Sequence, residues 1–271
     1  MQPFKIIENL NFFKNNRGEL RKTKIYPLWK FLKGIGLIFD WRLYNLYSRE
    51  IFRNNLDYKE GKINVYSHWI RSFFRNSERG WESIYDSDPL PWMYIKAIHF
   101  IEWHLLQTTS PKVFEWGGGT STLWFSERSD KVITVENNPQ WVNTLKNRIA
   151  ELDITNIELL VKEPINLKTS NTFETAWKEF KGYSFENYVN AIDDYDCLFD
   201  LILVDGYCRN ECAEKGLKKL NKNGILVFDN SSRDRYKKFF ESISKTHRII
   251  KLEGPTTYCQ GYSETTIVTQ K

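Results

Sequence analysis

Short apolar runs alternate with amphipathic segments along the chain from residue 111 onward. Segments with helical spacing lie between these runs, as in NPQWVNTLKNRIAEL at 138–152. Strands that alternate with helices form a parallel sheet covered by helices on both faces, and such buried strands are continuously apolar. The pattern therefore predicts an α/β fold, and HRIIKLEG and ETTIVTQ predict a closing hairpin. The predicted strands are KVFEW at 112–116, KVITVE at 131–136, IELLVK at 157–162, DLILVDG at 200–206 and GILVFDN at 224–230.

The front of the chain has a different character. Aromatic and apolar residues recur at helix-like spacing, as in Trp29, Leu32 and Ile35. Residues 1–80 hold sixteen Lys and Arg against seven Asp and Glu, although the whole chain carries only +5. We predict a basic, helical extension over residues 1–87 and a second domain over residues 88–271. The extension is interpreted as a solvated face, an anion-binding face, a wall of the substrate site, a homodimer contact, or a peripheral membrane patch around Trp29–Lys33.

Composition and cysteine spacing indicate a globular protein of a reducing compartment. Hydrophobic residues make up 41% of the chain, enough to bury a core. The four cysteines form no CxxC pair or zinc-type cluster. The N-terminus lacks the apolar run of a signal peptide, and the best apolar stretch, at 25–41, is interrupted by Lys30 and Lys33. The expected location is cytoplasmic, with any peripheral contact on the inner membrane surface.

Three consecutive glycines follow the first predicted strand in VFEWGGGTST at 113–122. Ligands of such folds bind beyond the carboxyl ends of the strands, so this loop is a candidate site. A dinucleotide site would need a third glycine where Thr122 stands, and Glu115 would repel a diphosphate. Glu115 instead favours a ligand with a cationic part. Glu136 ends the second strand, where a carboxylate accepts hydrogen bonds from the hydroxyls of a ribose. The pattern predicts a cationic nucleoside and makes a nicotinamide dehydrogenase the weakest alternative.

Residues 113–136 resemble the cofactor-binding region of class I S-adenosylmethionine-dependent methyltransferases, and the resemblance runs over roughly residues 88–271. It includes DLILVDG, LNKNGILVFDN and the closing strand pair. It implies a doubly wound, Rossmann-like sheet of seven strands in the order 3-2-1-4-5-7-6, with strand 7 antiparallel. S-adenosylmethionine is the implied cofactor. The residues expected to bind it are Glu115, Trp116, Gly117, Gly118, Gly119, Thr120, Ser121, Glu136, Asn137 and Asp205.

Asp205, Asp229 and Asn230 follow the fourth and fifth predicted strands. Three oxygen-bearing side chains suit Mg2+, and these residue types resemble those of metal-dependent catechol-type O-methyltransferases. Those enzymes carry a lysine base three residues beyond the first aspartate, where this chain has Cys208. Arg209 follows and is too permanently charged to be a base. We take Asp205 and Arg209 as candidate catalytic residues. In the alternative reading Asp205 orients a ligand, while Asp229 and Asn230 cap the next helix.

The stretches EWGGGTSTLWFSER, VDGYCRNECAEKGL and FDNSSRDRY resemble a bacterial-type group of small-molecule or glycan-linked methyltransferases. This resemblance implies O-methylation of a small molecule or a saccharide. A nucleic-acid methyltransferase is an alternative that the basic front favours, but VDGYCR stands where a DPPY-like or NPPF-like stretch would follow the fourth strand. A non-catalytic cofactor-binding scaffold is another. The segment 163–199 is interpreted as a lid over the methyl acceptor or as a surface excursion.

Overall fold

The computed structural model describes residues 81–85, 89–166, 173–175, 177–257 and 262–271. The chain divides into two compact units, one of residues 1–78 with 254–262 and the other of residues 79–253 with 263–271. The predicted helical extension, including its patch at Trp29–Lys33, lies outside the described residues except for a 3-10 turn at Trp81–Tyr85. Within the described ranges, none of the helices has the length and apolar character needed to cross a bilayer.

Seven strands form one sheet in the order β3-β2-β1-β6-β7-β9-β8, and β4 pairs separately with β5. The pairs from β3 across to β7 are parallel, whereas β9 runs antiparallel to β7 with Ile225 opposite Thr269. This arrangement confirms the predicted fold class and strand order, including the antiparallel last strand. The strands are β1 Lys112–Trp116, β2 Lys131–Glu136, β3 Ile157–Val161, β4 Ile165–Asn166, β5 Tyr183–Ser184, β6 Phe199–Val204, β7 Leu220–Phe228, β8 His247–Pro255 and β9 Tyr262–Gln270.

Helices connect the parallel strands, with two differences from the predicted bounds. The stretch DSDPLPWMYIKAIHFIEWHLL predicts a helix from about Pro91, but the first described α-helix begins at Ile95 because Tyr94 has an extended ψ of 128°. The fifth ends at Leu217, and β7 begins at Leu220 because that residue pairs with Phe199. The α-helices are α1 Ile95–Leu106, α2 Thr120–Ser126, α3 Pro139–Glu151, α4 Glu186–Val189, α5 Arg209–Leu217 and α6 Lys237–Ile243, with 3-10 turns at Lys178–Phe180, Asn190–Asp194 and Asp234–Tyr236.

The register of the central strands brings their carboxyl ends to one edge of the sheet. Trp116 at the end of β1 lies opposite Val135 of β2 and Val204 of β6. Val204 in turn lies opposite Phe228 at the end of β7. All these side chains are buried, so apolar packing on both faces fixes the register. The residues that follow β1, β2, β6 and β7 must therefore converge at this edge, where the glycine loop lies.

Candidate functional site

The glycine loop, residues 117–119, joins β1 to α2. The N–H of Gly117 donates to the carbonyl of Val135 at 2.9 Å, and its φ of +97° lies in the region that favours glycine. A Cβ on Gly117 would lie 2.9 Å from the backbone nitrogen of Gly206. The loop therefore packs backbone against backbone with the turn that follows β6.

Glu136, at the end of β2, is tied to the glycine loop. One carboxylate oxygen accepts from the N–H of Gly118 at 3.1 Å and the other from the N–H of Asn138 at 3.0 Å. Burial raises the pKa of Glu136, while these backbone N–H groups oppose the rise. Each oxygen can accept a further hydrogen bond. The carboxylate is therefore oriented by the backbone and still able to hold a ligand.

Helix α3 also contacts the glycine loop. The Asn138 side chain caps the helix by accepting from the N–H groups of Gln140 and Trp141 at 3.0 and 3.1 Å, and Pro139 occupies the first helical position. The Trp141 indole then donates to the carbonyl of Gly118 at 2.6 Å. The Asn-Pro start predicted the helix, and its capping geometry places Trp141 against the loop.

Asp205 follows β6 and is held by Arg209 from the first turn of α5. Its N–H donates to the Trp116 carbonyl at 3.0 Å, and its carboxylate lies 2.8 Å from the Arg209 guanidinium. Arg209 also donates to the carbonyls of Gly206, Asp229 and Asp205 at 2.8, 2.5 and 2.8 Å. Its side chain is only 9% exposed, against 25% for Asp205. Arg209 therefore links the residues that follow β6 and β7, and the Asp205 side chain beside it stays partly exposed.

A cavity of about 480 Å³ lies over this edge of the sheet. It brings together eight of the ten predicted cofactor-binding residues: Gly117, Gly118, Gly119, Thr120, Ser121, Glu136, Asn137 and Asp205. The sequence pattern did not predict the other lining residues. Two of them, Asn138 and Trp141, lie in the helix predicted at 138–152. These further lining residues are Ser83, Trp92, Asn138, Trp141, Glu179, Phe180, Gly206 and Tyr207.

Glu115 and Trp116 do not line the cavity, and both are fully buried. The Glu115 carboxylate accepts from the hydroxyls of Ser121, Thr122 and Thr134, the last two at 2.6 and 2.9 Å. The Trp116 indole donates to the carbonyl of Tyr188 at 2.8 Å. The direct contact expected between Glu115 and a ligand cation is therefore not available in this geometry. The Glu115 side chain thus links β1 to α2 and β2, and the Trp116 side chain links β1 to α4.

The buried Glu115 carboxyl gives stability a pH dependence. Burial, opposed by the three hydroxyls, raises its pKa from 4.5 to about 7. The folded state thus favours the protonated form, and stability present below pH 4.5 is lost as the pH rises through about 7. Because Glu115→Gln cannot ionise, we expect its stability relative to wild type to improve by about 3 kcal/mol between pH 4.5 and 8. Urea unfolding across this range measures the change, and an unchanged difference would contradict the assignment. Glu151→Gln is the control, since Glu151 is 53% exposed and pairs only with Arg148 among the described ion pairs.

Asp229 and Asn230 follow β7, next to Asp205, but the group does not fit Mg2+. Asp229 is 1% exposed and accepts from the Thr265 hydroxyl at 2.7 Å and the Asn230 amide at 2.5 Å. The Asn230 oxygen accepts from Arg233 at 2.7 Å. Both carboxylate oxygens of Asp229 and the Asn230 amide oxygen are thus engaged by donors, and the Arg209 guanidinium lies against one oxygen of Asp205. Over the described part of the chain, no group of three or more His, Cys, Asp or Glu side chains could hold a metal ion.

Cys208 stands where the catechol-type enzymes carry their lysine base. It precedes α5 with a left-handed φ of +46°, and its thiol donates to the carbonyl of Phe173 at 3.2 Å. Burial raises the pKa of this thiol to about 12. Cys208 is therefore a neutral packing residue at neutral pH and does not replace the lysine base.

Comparison with known proteins gives similarity in fold alone. No family model and no curated protein matches the chain. An rRNA methylase from Streptococcus thermophilus is 13% identical over 64% of this chain and 95% of its own, with a TM-score of 0.46. An S-adenosylhomocysteine-bound methyltransferase from Podospora anserina is 16% identical over 86% and 97%, with a TM-score of 0.47. A methyltransferase-like protein from Silicibacter pomeroyi is 18% identical over 67% and 90%, also with 0.47. At these identities and TM-scores, the similarities carry no argument about activity.

Proposed function

We propose that this protein is an S-adenosylmethionine-dependent methyltransferase that methylates an oxygen of a small molecule or a saccharide. The observation that carries the proposal is the cavity at the carboxyl ends of β1, β2 and β6. The cavity is lined by the glycine loop, by Glu136 and by Asp205, whose side chain is 25% exposed. Backbone that a ligand can approach closely, flanked by two carboxylates, suits a cationic nucleoside.

Each wall has a separate part in binding. Glu136 accepts hydrogen bonds from the two ribose hydroxyls, which its backbone partners leave it free to do. The glycine loop admits the amino-acid portion without a steric barrier. Thr122, which is buried and donates to Glu115, stands where the dinucleotide pattern has its third glycine, the one that lets the helix pack closely on the strand. The cavity therefore favours a nucleoside with a cationic tail over a dinucleotide.

Asp205 acts at the reacting end of the cavity. When bound, the cofactor supplies an electrophilic methyl group on a sulfonium, and in-line attack mainly requires alignment of the acceptor oxygen. Asp205 would accept the proton that the acceptor hydroxyl loses as its oxygen bonds to the methyl carbon and the methyl–sulfur bond breaks, leaving S-adenosylhomocysteine, and would later release that proton to water. Burial raises the pKa of Asp205, and Arg209 opposes that rise while fixing the carboxylate in place. Arg209 is thus a positioning residue.

Isothermal titration calorimetry with S-adenosylhomocysteine, compared with NAD+, tests the cofactor class. We expect micromolar binding of S-adenosylhomocysteine and at least about 100-fold weaker binding of NAD+, since a diphosphate would meet Glu136 and Asp205 with no lysine or arginine among the described lining residues. Equal binding of the two, or binding of NAD+ alone, would overturn the proposal.

Cofactor binding is expected to be independent of metal, because the Arg209 guanidinium lies against Asp205 and donors engage both carboxylate oxygens of Asp229. The affinity for S-adenosylhomocysteine should change by less than about twofold between EDTA and millimolar Mg2+. The same comparison of thermal unfolding should show no shift in Tm. A tenfold gain in affinity with Mg2+, or a Mg2+-dependent rise in Tm, would contradict this expectation and support the predicted Mg2+ site.

A further inference from the structure

Part of the cavity lining lies outside the predicted cofactor-binding residues. It includes Glu179 and Phe180 from the 3-10 turn Lys178–Phe180, and Tyr207 after β6. We call these three residues the acceptor end. Tyr207 stacks on Phe185 with centroids 5.0 Å apart, and Phe180 meets both rings edge to face at 5.2 Å. Because the rings pack against one another, they form a preorganised aromatic wall.

The charge at the acceptor end is negative. Among the described residues that line the cavity, the acidic side chains are Glu136, Glu179 and Asp205, and there is no lysine, arginine or histidine. Arg209 offsets Asp205, but Glu179 is exposed and forms no ion pair with any described residue. The pKa of Tyr207 is raised by burial first and then by Glu179 and Glu136. Tyr207 therefore lies within the field of both carboxylates.

We propose that the acceptor end binds an ammonium group carried by the methyl acceptor. This inference rests on the proposed function and narrows its acceptor to a hydroxyl compound that also bears an amine, such as an amino alcohol or an amino sugar. Aromatic rings attract a cation, and a nearby carboxylate adds to that attraction. An acceptor bearing a phosphate or carboxylate would instead be repelled by Glu179 and Glu136. Glu179 and Phe180 thereby form a wall that selects the acceptor by charge.

The test compares a cation with its uncharged isostere in the presence of saturating S-adenosylhomocysteine. Choline and 3,3-dimethylbutan-1-ol have the same shape and differ by nitrogen against carbon. We expect choline to bind about tenfold more tightly, as measured by chemical-shift titration. Glu179→Gln should reduce this preference to less than about threefold, and Tyr207→Leu should weaken choline binding. Glu186→Gln removes an exposed acid of α4 in the same segment and should leave the preference unchanged.

The outcomes separate this inference from the proposed function. If S-adenosylhomocysteine does not bind at all, the proposed function fails and the acceptor assignment fails with it. If it binds but the two probes bind equally, or if Glu179→Gln keeps the full preference, the acceptor assignment alone is wrong. Binding of methyl α-glucoside without binding of choline would also overturn it, in favour of an uncharged saccharide.

Discussion

Gly117→Ala is expected to lower the free energy of unfolding by roughly 2–4 kcal/mol, from left-handed strain together with overpacking against backbone. The φ of +97° is one that L side chains rarely adopt. The added Cβ would lie 2.9 Å from the nitrogen of Gly206 and 3.0 Å from the carbonyl carbon of Asp205. Neither atom can move without shifting the turn after β6, so the variant should also lose affinity for S-adenosylhomocysteine.

Gly119→Ala is the matched control within the same loop. Gly119 has an extended φ of −177°, and the nearest atom to an added Cβ is in the Trp141 ring at 3.9 Å. Loss of a glycine N-cap costs at most about 1 kcal/mol. Urea unfolding of both variants measures the difference, and equal destabilisation would contradict the close approach of the two backbones at Gly117.

Glu136→Ala should weaken S-adenosylhomocysteine binding by at least about 100-fold, because hydrogen bonds to a charged group contribute about 1.5–3 kcal/mol each. The variant loses the proposed ribose contacts and also the acceptor for the N–H groups of Gly118 and Asn138. Glu136→Gln keeps the side-chain shape and one oxygen, so it should fall between wild type and Glu136→Ala.

Calorimetry at pH 7 measures these affinities, with Glu127→Ala as the control. Glu127 follows α2, is 64% exposed and does not line the cavity. Its replacement should leave the Kd unchanged within about twofold. Binding by Glu136→Ala with wild-type affinity would remove Glu136 from the proposed site.

The positions of Glu136, Asp205 and the glycine loop could be predicted because they depend on strand ends. Apolar runs locate the ends of β1, β2 and β6, and parallel register then brings the next residues together. The strand order came from the family resemblance, and the sheet confirms it. The residue pattern and the family resemblance together were therefore enough to predict which edge of the sheet carries the cavity.

The environment of Glu115 could not be predicted, since its three partners come from separate places in the chain. Ser121 and Thr122 lie in α2 and Thr134 lies in β2, and only the folded register places their hydroxyls around one carboxylate. An acid beside glycines in a sequence is therefore equally compatible with a ligand contact and with a buried support. The structure shows the buried support.

The segment 163–199 was ambiguous for a related reason. Its mixed polar and aromatic composition has no period that distinguishes a lid from a surface excursion. The described part places Phe180 against Tyr207 and Phe185, through contacts between residues distant in sequence. The role of Arg209 could not be predicted either, because its hydrogen bonds to three carbonyls depend on how the turns after β6 and β7 fold.

A crystal structure of the protein with S-adenosylhomocysteine tests the central claim most directly. The account predicts that both ribose hydroxyls lie about 3 Å from the Glu136 carboxylate. It also predicts that the homocysteine portion lies along Gly117–Gly119, with its sulfur toward Asp205. A ligand bound elsewhere, or one that reaches the cavity without contacting Glu136 or the glycine loop, would contradict the account.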